Sequence, residues 1–600
     1  MDGPSAERLR LAGVVGLCLS IVAFWMAQHP YWGLVNDATL YALAALGRLH
    51  PESLGHDIFL SQGSQDQYTI FSPLLAPMIS VAGIARAAAI VTFIAQAGFF
   101  GCAWILARRL MGSSLAILSV ALLVALPAFY GGASIFSYSE TMLTPRVPAE
   151  AFVLAALAAA LGRRYAISGV CILMGLLLHP LMAAAGLVMV FLLMIGPERQ
   201  FAGLGLLLLG AGLLVLIAYV SPVGPVAPFD SEWFGLLHSR MQYAFPSLWA
   251  RSDWGHASVP LATLAVGAIS TTSPQVRSLC RAALLTGLCG LAVSLIASDL
   301  LHVVLIAQAQ TWRWLWLANS LAVITLPITA ADCWRAGKLG QAALLLLGAA
   351  WLCIDQSFTW IAAGLAVIVS VIRDRAIDGR QRHLIVLGAR AALLLCALVF
   401  AGSLWSALSK SASLLQSPAW LLAGIIPACA LTMAWWWVMR GASRLAAPAV
   451  LALGLALCTC FAPASWRTWT QLSPSDELRS EFASWREQIP LTAQVLAPGV
   501  PLIPWFILER PSYWSLRQMA GSVFSRPTTM ELVKRESALR GQVATDQRAN
   551  DLVAICRNNS PLGYLITPAD LGPTAFAPVS VGKSQPDLFL HLYRCSDYRH

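Results

Sequence analysis

Apolar runs of near membrane-spanning length recur from residue 9 to residue 462, and they constrain the fold more than any other feature. A helix needs about 20 apolar residues to cross a bilayer. Runs close to that length fall at 9–28, 87–107, 113–130, 147–162, 165–179, 181–196, 201–221, 257–274, 279–298, 313–332, 339–354, 357–372, 384–404, 418–438 and 444–462. Read as spans they number about 15, or about 13 if the short pairs 165–179/181–196 and 339–354/357–372 are re-entrant or merged. Only 11% of the residues are charged, against roughly 25% in a soluble protein. The expected fold class is therefore an α-helical polytopic membrane protein. Leu11–Ala27 has no small-residue cleavage site before the next loop, so it reads as a retained first span.

Basic residues test the span count, because they favour cytoplasmic loops. Arg8, Arg10, Arg108, Arg109, Arg163, Arg164, Arg199, Arg277, Arg281, Arg335, Lys338, Arg373 to Arg382, Arg440 and Arg444 fall in alternate loops. The opposite loops hold few, and these are isolated, among them Arg48, Arg146, Arg240, Arg251, Arg313 and Lys410. A cytoplasmic N-terminus and an odd number of spans follow, with the C-terminus outside. The expected location is a bacterial inner membrane. The net charge of +10 is largely this inner-face bias and gives no reason to expect nucleic-acid binding.

Two domains are expected: 1–464 within the membrane, and 465–600 as a small extracytoplasmic α/β unit. In the second, Ser473 and Pro474 look like the start of a helix reaching about Gln488, and Pro527 starts another through Arg540. Val495–Ala497, Leu552–Cys556, Tyr564–Thr567 and Asp587–Arg594 read as strands. Cys556 and Cys595 are its only cysteines. An oxidising compartment permits a disulfide between them; two free thiols are the alternative.

Mixed charge gathers in the outer loops 29–86, 131–147 and 222–257, so acid–base chemistry is expected there. The first loop carries Asp37 and Asp57. Leu40, Leu43, Ala44 and Leu46 share a helical face, which suggests a helix lying flat on the membrane. Asp37 at its N-terminus would stay ionised and could take a proton from a hydroxyl, or serve only as a cap. Phe71–Ile84, broken by Pro73 and Pro77, suggests a half-helix in a cavity wall. The second loop offers Glu140 and Arg146, the latter suited to a phosphate or to snorkelling. His179 precedes Pro180 between two short spans, where an ionisable residue is costly. The third loop holds Arg240, Tyr243 and Trp249, which could bind hydroxyls, phosphates and sugar faces or form an interfacial belt. Arg313, near Gln308 and Gln310, is a second phosphate candidate.

P-loop, dinucleotide-glycine, HExxH and cysteine metal patterns are absent from the sequence. A divalent metal held by Asp37, Asp57, Glu140 and a histidine has no support from spacing.

Asn36-Asp37 with Tyr41, and Glu140 with Arg146, stand within a layout of inside N-terminus, long first outer loop, many spans and outer C-terminal domain. That layout resembles the GT-C superfamily of membrane glycosyltransferases. The resemblance implies a polyprenyl-phosphate-linked sugar as donor and a glycan, lipid or protein hydroxyl as acceptor, among membrane lipids. It implies Asp37 as catalytic base and Arg146 or Arg313 as holder of the carrier phosphate. The first loop lacks a tandem acidic DxD, leaving metal dependence open, and the C-terminal domain lacks the WWDYG-type signature of oligosaccharyltransferases. The competing expectations are a transporter or flippase of a lipid-linked or small polar substrate, and a non-catalytic membrane assembly component.

Overall fold

The computed structural model describes residues 4–220, 227–375, 378–409, 424–439, 446–461, 474–539, 549–559, 561–581 and 588–598. It is 74% helical, with one small sheet region near the C-terminus. Every apolar run of the sequence contains a helix. Among the described residues, five helices are long and apolar enough to cross a membrane: Leu11–Gln28, Ile84–Leu110, Pro274–Leu300, Val304–Arg335 and Gly379–Ser406. The others meet the expectation less well. Helices such as Ser113–Ala125, Tyr165–Leu178 and Gly337–Leu352 reach about 20–24 Å at 1.5 Å per residue, short of a ~30 Å hydrocarbon core.

Local chemistry explains the breaks. Pro180 and Pro274 each occupy a first helical turn, where a missing N–H costs nothing. His179 Nδ1 caps one of these helices and Ser273 Oγ the other. Gly83, at φ 77°, separates Phe71–Ala82 from Ile84–Leu110, so a short helix is present where a half-helix is expected, but none of its residues lines the cavity walled by Tyr41, Pro145 and His179. Large apolar side chains remain exposed on several helices. They include Ile167, Val170 and Leu173 on one, and Leu387, Leu394 and Leu398 on another.

Three expectations are corrected. The Asp37–Leu49 helix is not a one-sided surface helix: Ala38 through Leu46 are all buried. It packs against Phe71–Ala82 and against the Leu516–Gly521 turn of the C-terminal domain, leaving no apolar stripe for lipid. The run 113–130 stops being helical at Ala125, and Phe129–Tyr130 instead pairs antiparallel with Phe136–Ser137. Leu552–Cys556 is not a strand but part of the Ala549–Asn558 helix; a short apolar run has no periodicity to tell the two apart.

The C-terminal sheet orders its strands Gln494–Leu496, Leu562–Thr567, Phe589–Arg594 and Val579–Ser580. The first pair is parallel and the rest are antiparallel. Helices Asp476–Glu481 and Ala483–Gln488 precede it, and Arg526–Leu539 lies between its first two strands. Ser475 caps the first of these helices. The expected cap Ser473 lies outside the described residues, as do Lys410, Arg440, Arg444, Arg540, Asp587, 222–226 and 418–423. Cys556 and Cys595 form a disulfide.

Candidate functional site

The hairpin at 129–137 organises the site. Gly131, at φ 80°, lies so close to Trp312 that an added Cβ would stand 2.2 Å from the ring. Gly132 is closed off in the same way by Trp249, whose indole N–H donates to the Tyr243 carbonyl at 3.0 Å. Tyr243 meets Phe136 edge-on at 5.9 Å. Tyr243 and Trp249 thus buttress the hairpin and hold Phe136 in place. Two arginines lie over that ring, Arg313 at 4.1 Å and Arg146 at 5.1 Å from its centroid, in the range of cation–π attraction.

Arg146 begins the helix Arg146–Leu161. A cation there opposes the helix dipole and is almost wholly buried, so it needs anionic partners. Its Nη1 donates to Asp37 Oδ2 at 2.8 Å and its Nε to Glu140 Oε2 at 2.7 Å. Arg146 Nη2 and Glu140 Oε1 are buried without hydrogen-bond partners among the described residues. Burial pushes the Glu140 carboxyl above its ordinary range, while Arg146 pulls the other way. Burial also raises the Tyr41 and Tyr243 hydroxyls, each to about 12.

Asp37 does not act as a helix cap. The cap position belongs to Asn36, which makes no side-chain capping bond. Asp37 is 27% exposed, whereas Arg146 and Glu140 are 2% and 3% exposed, so it is the member of the triad that a ligand can reach. Arg313 follows Gln310, whose left-handed φ of 43° breaks the chain between two helical segments. Arg313 Nε donates to Gln310 Oε1 at 2.7 Å.

A cavity of about 290 Å³ lies alongside, lined among others by Tyr41, Tyr68, Pro145, His179, Gln308 and Phe524. Tyr41 and Pro145 tie it to the charged cluster. His179 contributes its wall while its Nδ1 accepts from Met182 N at 3.3 Å. Phe524 comes from the C-terminal domain.

Two residues expected at the ligand instead make contacts with the C-terminal region. Asp57 is fully buried, and both its oxygens are taken. Oδ1 accepts from Phe59 N and Gln518 Nε2, each at 3.0 Å; Oδ2 accepts from Trp505 Nε1 at 2.7 Å and Ser512 N at 2.9 Å. Three of the four donors come from residues 505–518 of the C-terminal region, so Asp57 anchors the first loop to that region. Burial raises its carboxyl, and the four donors oppose the shift. Arg240 is committed to Glu536 at 2.5 Å, again across the two domains.

No group of three or more His, Cys, Asp or Glu side chains suited to a metal occurs among the described residues. At the site, Arg146 stands between Asp37 and Glu140 and occupies the cation's place. The residues present do not fit a divalent ion there.

Phe136 and Arg517 escaped sequence reading. Phe136 carries no signal of its own, and Arg517 lies in a polar domain where arginines are common. Glu150 did carry one, as an ionisable group within an apolar helix. Its Oε2 accepts from Ser139 N at 2.9 Å, and its Oε1 is buried without a partner among the described residues. No protein-family model and no curated protein matches the chain.

Proposed function

We propose that the chain is an integral membrane glycosyltransferase of the GT-C kind. It moves a sugar from a polyprenyl-phosphate donor to a hydroxyl acceptor on the outer face of a bacterial inner membrane. Five apolar helices of spanning length support the membrane location, and so do exposed apolar faces on their neighbours. The alternation of basic loops supports a cytoplasmic N-terminus, and the Cys556–Cys595 disulfide suits an outer C-terminal domain.

The observation that supports the reading is the cluster of Asp37, Glu140 and Arg146, with Arg313 over the same Phe136 ring as Arg146; none of the four lines the cavity, whose wall includes their neighbours Tyr41, Pro145 and His179. In the proposed reaction the acceptor oxygen attacks the anomeric carbon as the bond from that carbon to the phosphate oxygen breaks. Asp37 takes the acceptor proton. The polyprenyl phosphate leaves with its negative charge against Arg146 and Arg313, which stabilise it through charge-assisted hydrogen bonds. Glu140 keeps Arg146 oriented.

The test is sugar transfer from a polyprenyl-phosphate donor by purified protein, with Asp37→Asn and Arg146→Ala beside the wild type. Asp37→Asn should abolish transfer with insertion intact, and Arg146→Ala should weaken donor binding. Full activity in Asp37→Asn would remove the base and move the transporter reading ahead.

A further inference from the structure

Asn36, the residue before the proposed base, has φ 48° and ψ −131°. The left-handed region open to non-glycine residues has ψ near +30 to +60°, so Asn36 lies outside it. Such a conformation persists only where the surroundings over-determine it, and it concentrates at working sites. Its carbonyl accepts from Thr39 N at 3.2 Å and Thr39 Oγ1 at 2.7 Å. Its side-chain oxygen is held from the C-terminal domain: Arg517 Nη1 donates to Asn36 Oδ1 at 2.6 Å.

Arg517 is itself placed with care. Ser515 Oγ accepts from Arg517 N at 3.2 Å and caps the turn Leu516–Gly521. The next residue, Gln518, donates to Asp57 at 3.0 Å. Two consecutive residues of the C-terminal domain therefore grip the first loop at Asn36 and at Asp57. Burial lowers the Arg517 guanidinium from its ordinary range, and the charge of Asp37 opposes that shift.

We infer that Arg517 is a positioning residue: it holds Asn36 in the backbone conformation that turns Asp37 toward Arg146, so the C-terminal domain completes the site. This rests on the reading of Asp37 as the base. It gives the domain a part in the reaction that requires no contact between Arg517 and substrate.

The test uses full-length protein in detergent, with Arg517→Ala, Arg517→Lys, Asn36→Gly and the double variant Asn36→Gly/Arg517→Ala. Two readouts are taken: amide hydrogen exchange over residues 35–41, and kcat and KM for transfer. Arg517→Ala should speed exchange in that segment. It should lower kcat by about 10- to 100-fold, the scale of a catalytic group misplaced by about 1 Å, with KM little changed. Arg517→Lys, which keeps a donor, should restore part of the loss. The loss should shrink in the Asn36→Gly background, because glycine adopts positive φ without a Cβ penalty. Unchanged exchange over 35–41 in Arg517→Ala overturns the inference. So does a defect confined to KM that persists in Asn36→Gly, which would make Arg517 a direct ligand contact. A wild type that transfers no sugar sinks the glycosyltransferase reading instead, and the exchange comparison still decides whether Arg517 holds Asn36.

Discussion

Asp37 and Asp57 stand in the same loop and both read in sequence as candidates for the site, yet they face opposite environments. Asp57 is fully buried and accepts four hydrogen bonds, three from another domain. Asp37 is partly exposed and has one arginine partner, whose third nitrogen is unpaired among the described residues. A saturated carboxylate can only hold structure together. An incompletely satisfied cluster has capacity left for a ligand. The difference lies in the unused hydrogen-bonding capacity around each group, not in charge or residue type.

The largest expected effect tests the first half of that contrast. Asp37→Asn should cost about 10²- to 10⁴-fold in transfer rate, roughly 3–5 kcal/mol at 1.36 kcal/mol per decade. Glu140 still partners Arg146 in this variant, so thermal unfolding should move by only about 1 kcal/mol. Asp57→Asn should do the reverse. Its amide nitrogen would face two donors and leave them unsatisfied, at about 1–3 kcal/mol each. The expected result is a stability loss of roughly 2–6 kcal/mol, seen as a lower unfolding temperature and faster proteolysis of the C-terminal domain. If the two variants exchanged phenotypes, the contrast would be wrong at its root.

A smaller effect is expected from the staple within the domain that supplies the donors to Asp57. Cys556→Ser removes a disulfide joining residues 39 apart, worth about 2–4 kcal/mol by typical measurements. Loosening that end should leave the Asp57 contacts formed, so transfer should survive at low temperature. Non-reducing peptide mass spectrometry of the native protein should find the linked pair. Two alkylated thiols would refute the bridge.

Sequence patterning located helices well because apolar runs are long and helix-forming. It could not decide which helices are long enough to cross a membrane, since Pro, Gly and buried polar groups set the ends. It picked out Asp37, Glu140, Arg146 and Arg313 by residue type and by the loops in which they were expected to lie. It singled out Asp37 as the base but left Asp57 a ligand candidate, because the anchoring of Asp57 is made by Trp505, Ser512 and Gln518, more than 400 residues away in the chain. Tyr243, Trp249 and Arg240 were visible as an aromatic and basic loop. Their places as hairpin buttress and interdomain pair depend on Gly131, Gly132 and Glu536, contacts that no local pattern encodes.

The smallest effect is expected where the two domains meet in the open. Arg526 bridges Asp230 at 2.7 Å and Glu232 at 3.2 Å, and all three side chains are well exposed. Arg526 holds the Asp230 carboxyl below the ordinary range. The sign of the pH effect follows from that lowered value. The pair's contribution is present above the unfolded-state value near 3.8 and is lost as pH falls through the lowered one. Exposed pairs are screened by water and salt, so Arg526→Ala should shift the unfolding temperature only slightly. About 1 M salt, where the Debye length is about 3 Å, should erase even that difference. A shift as large as that of Asp57→Asn would mean the domains are held by surface charge, and the buried anchor at Asp57 would lose its privileged place.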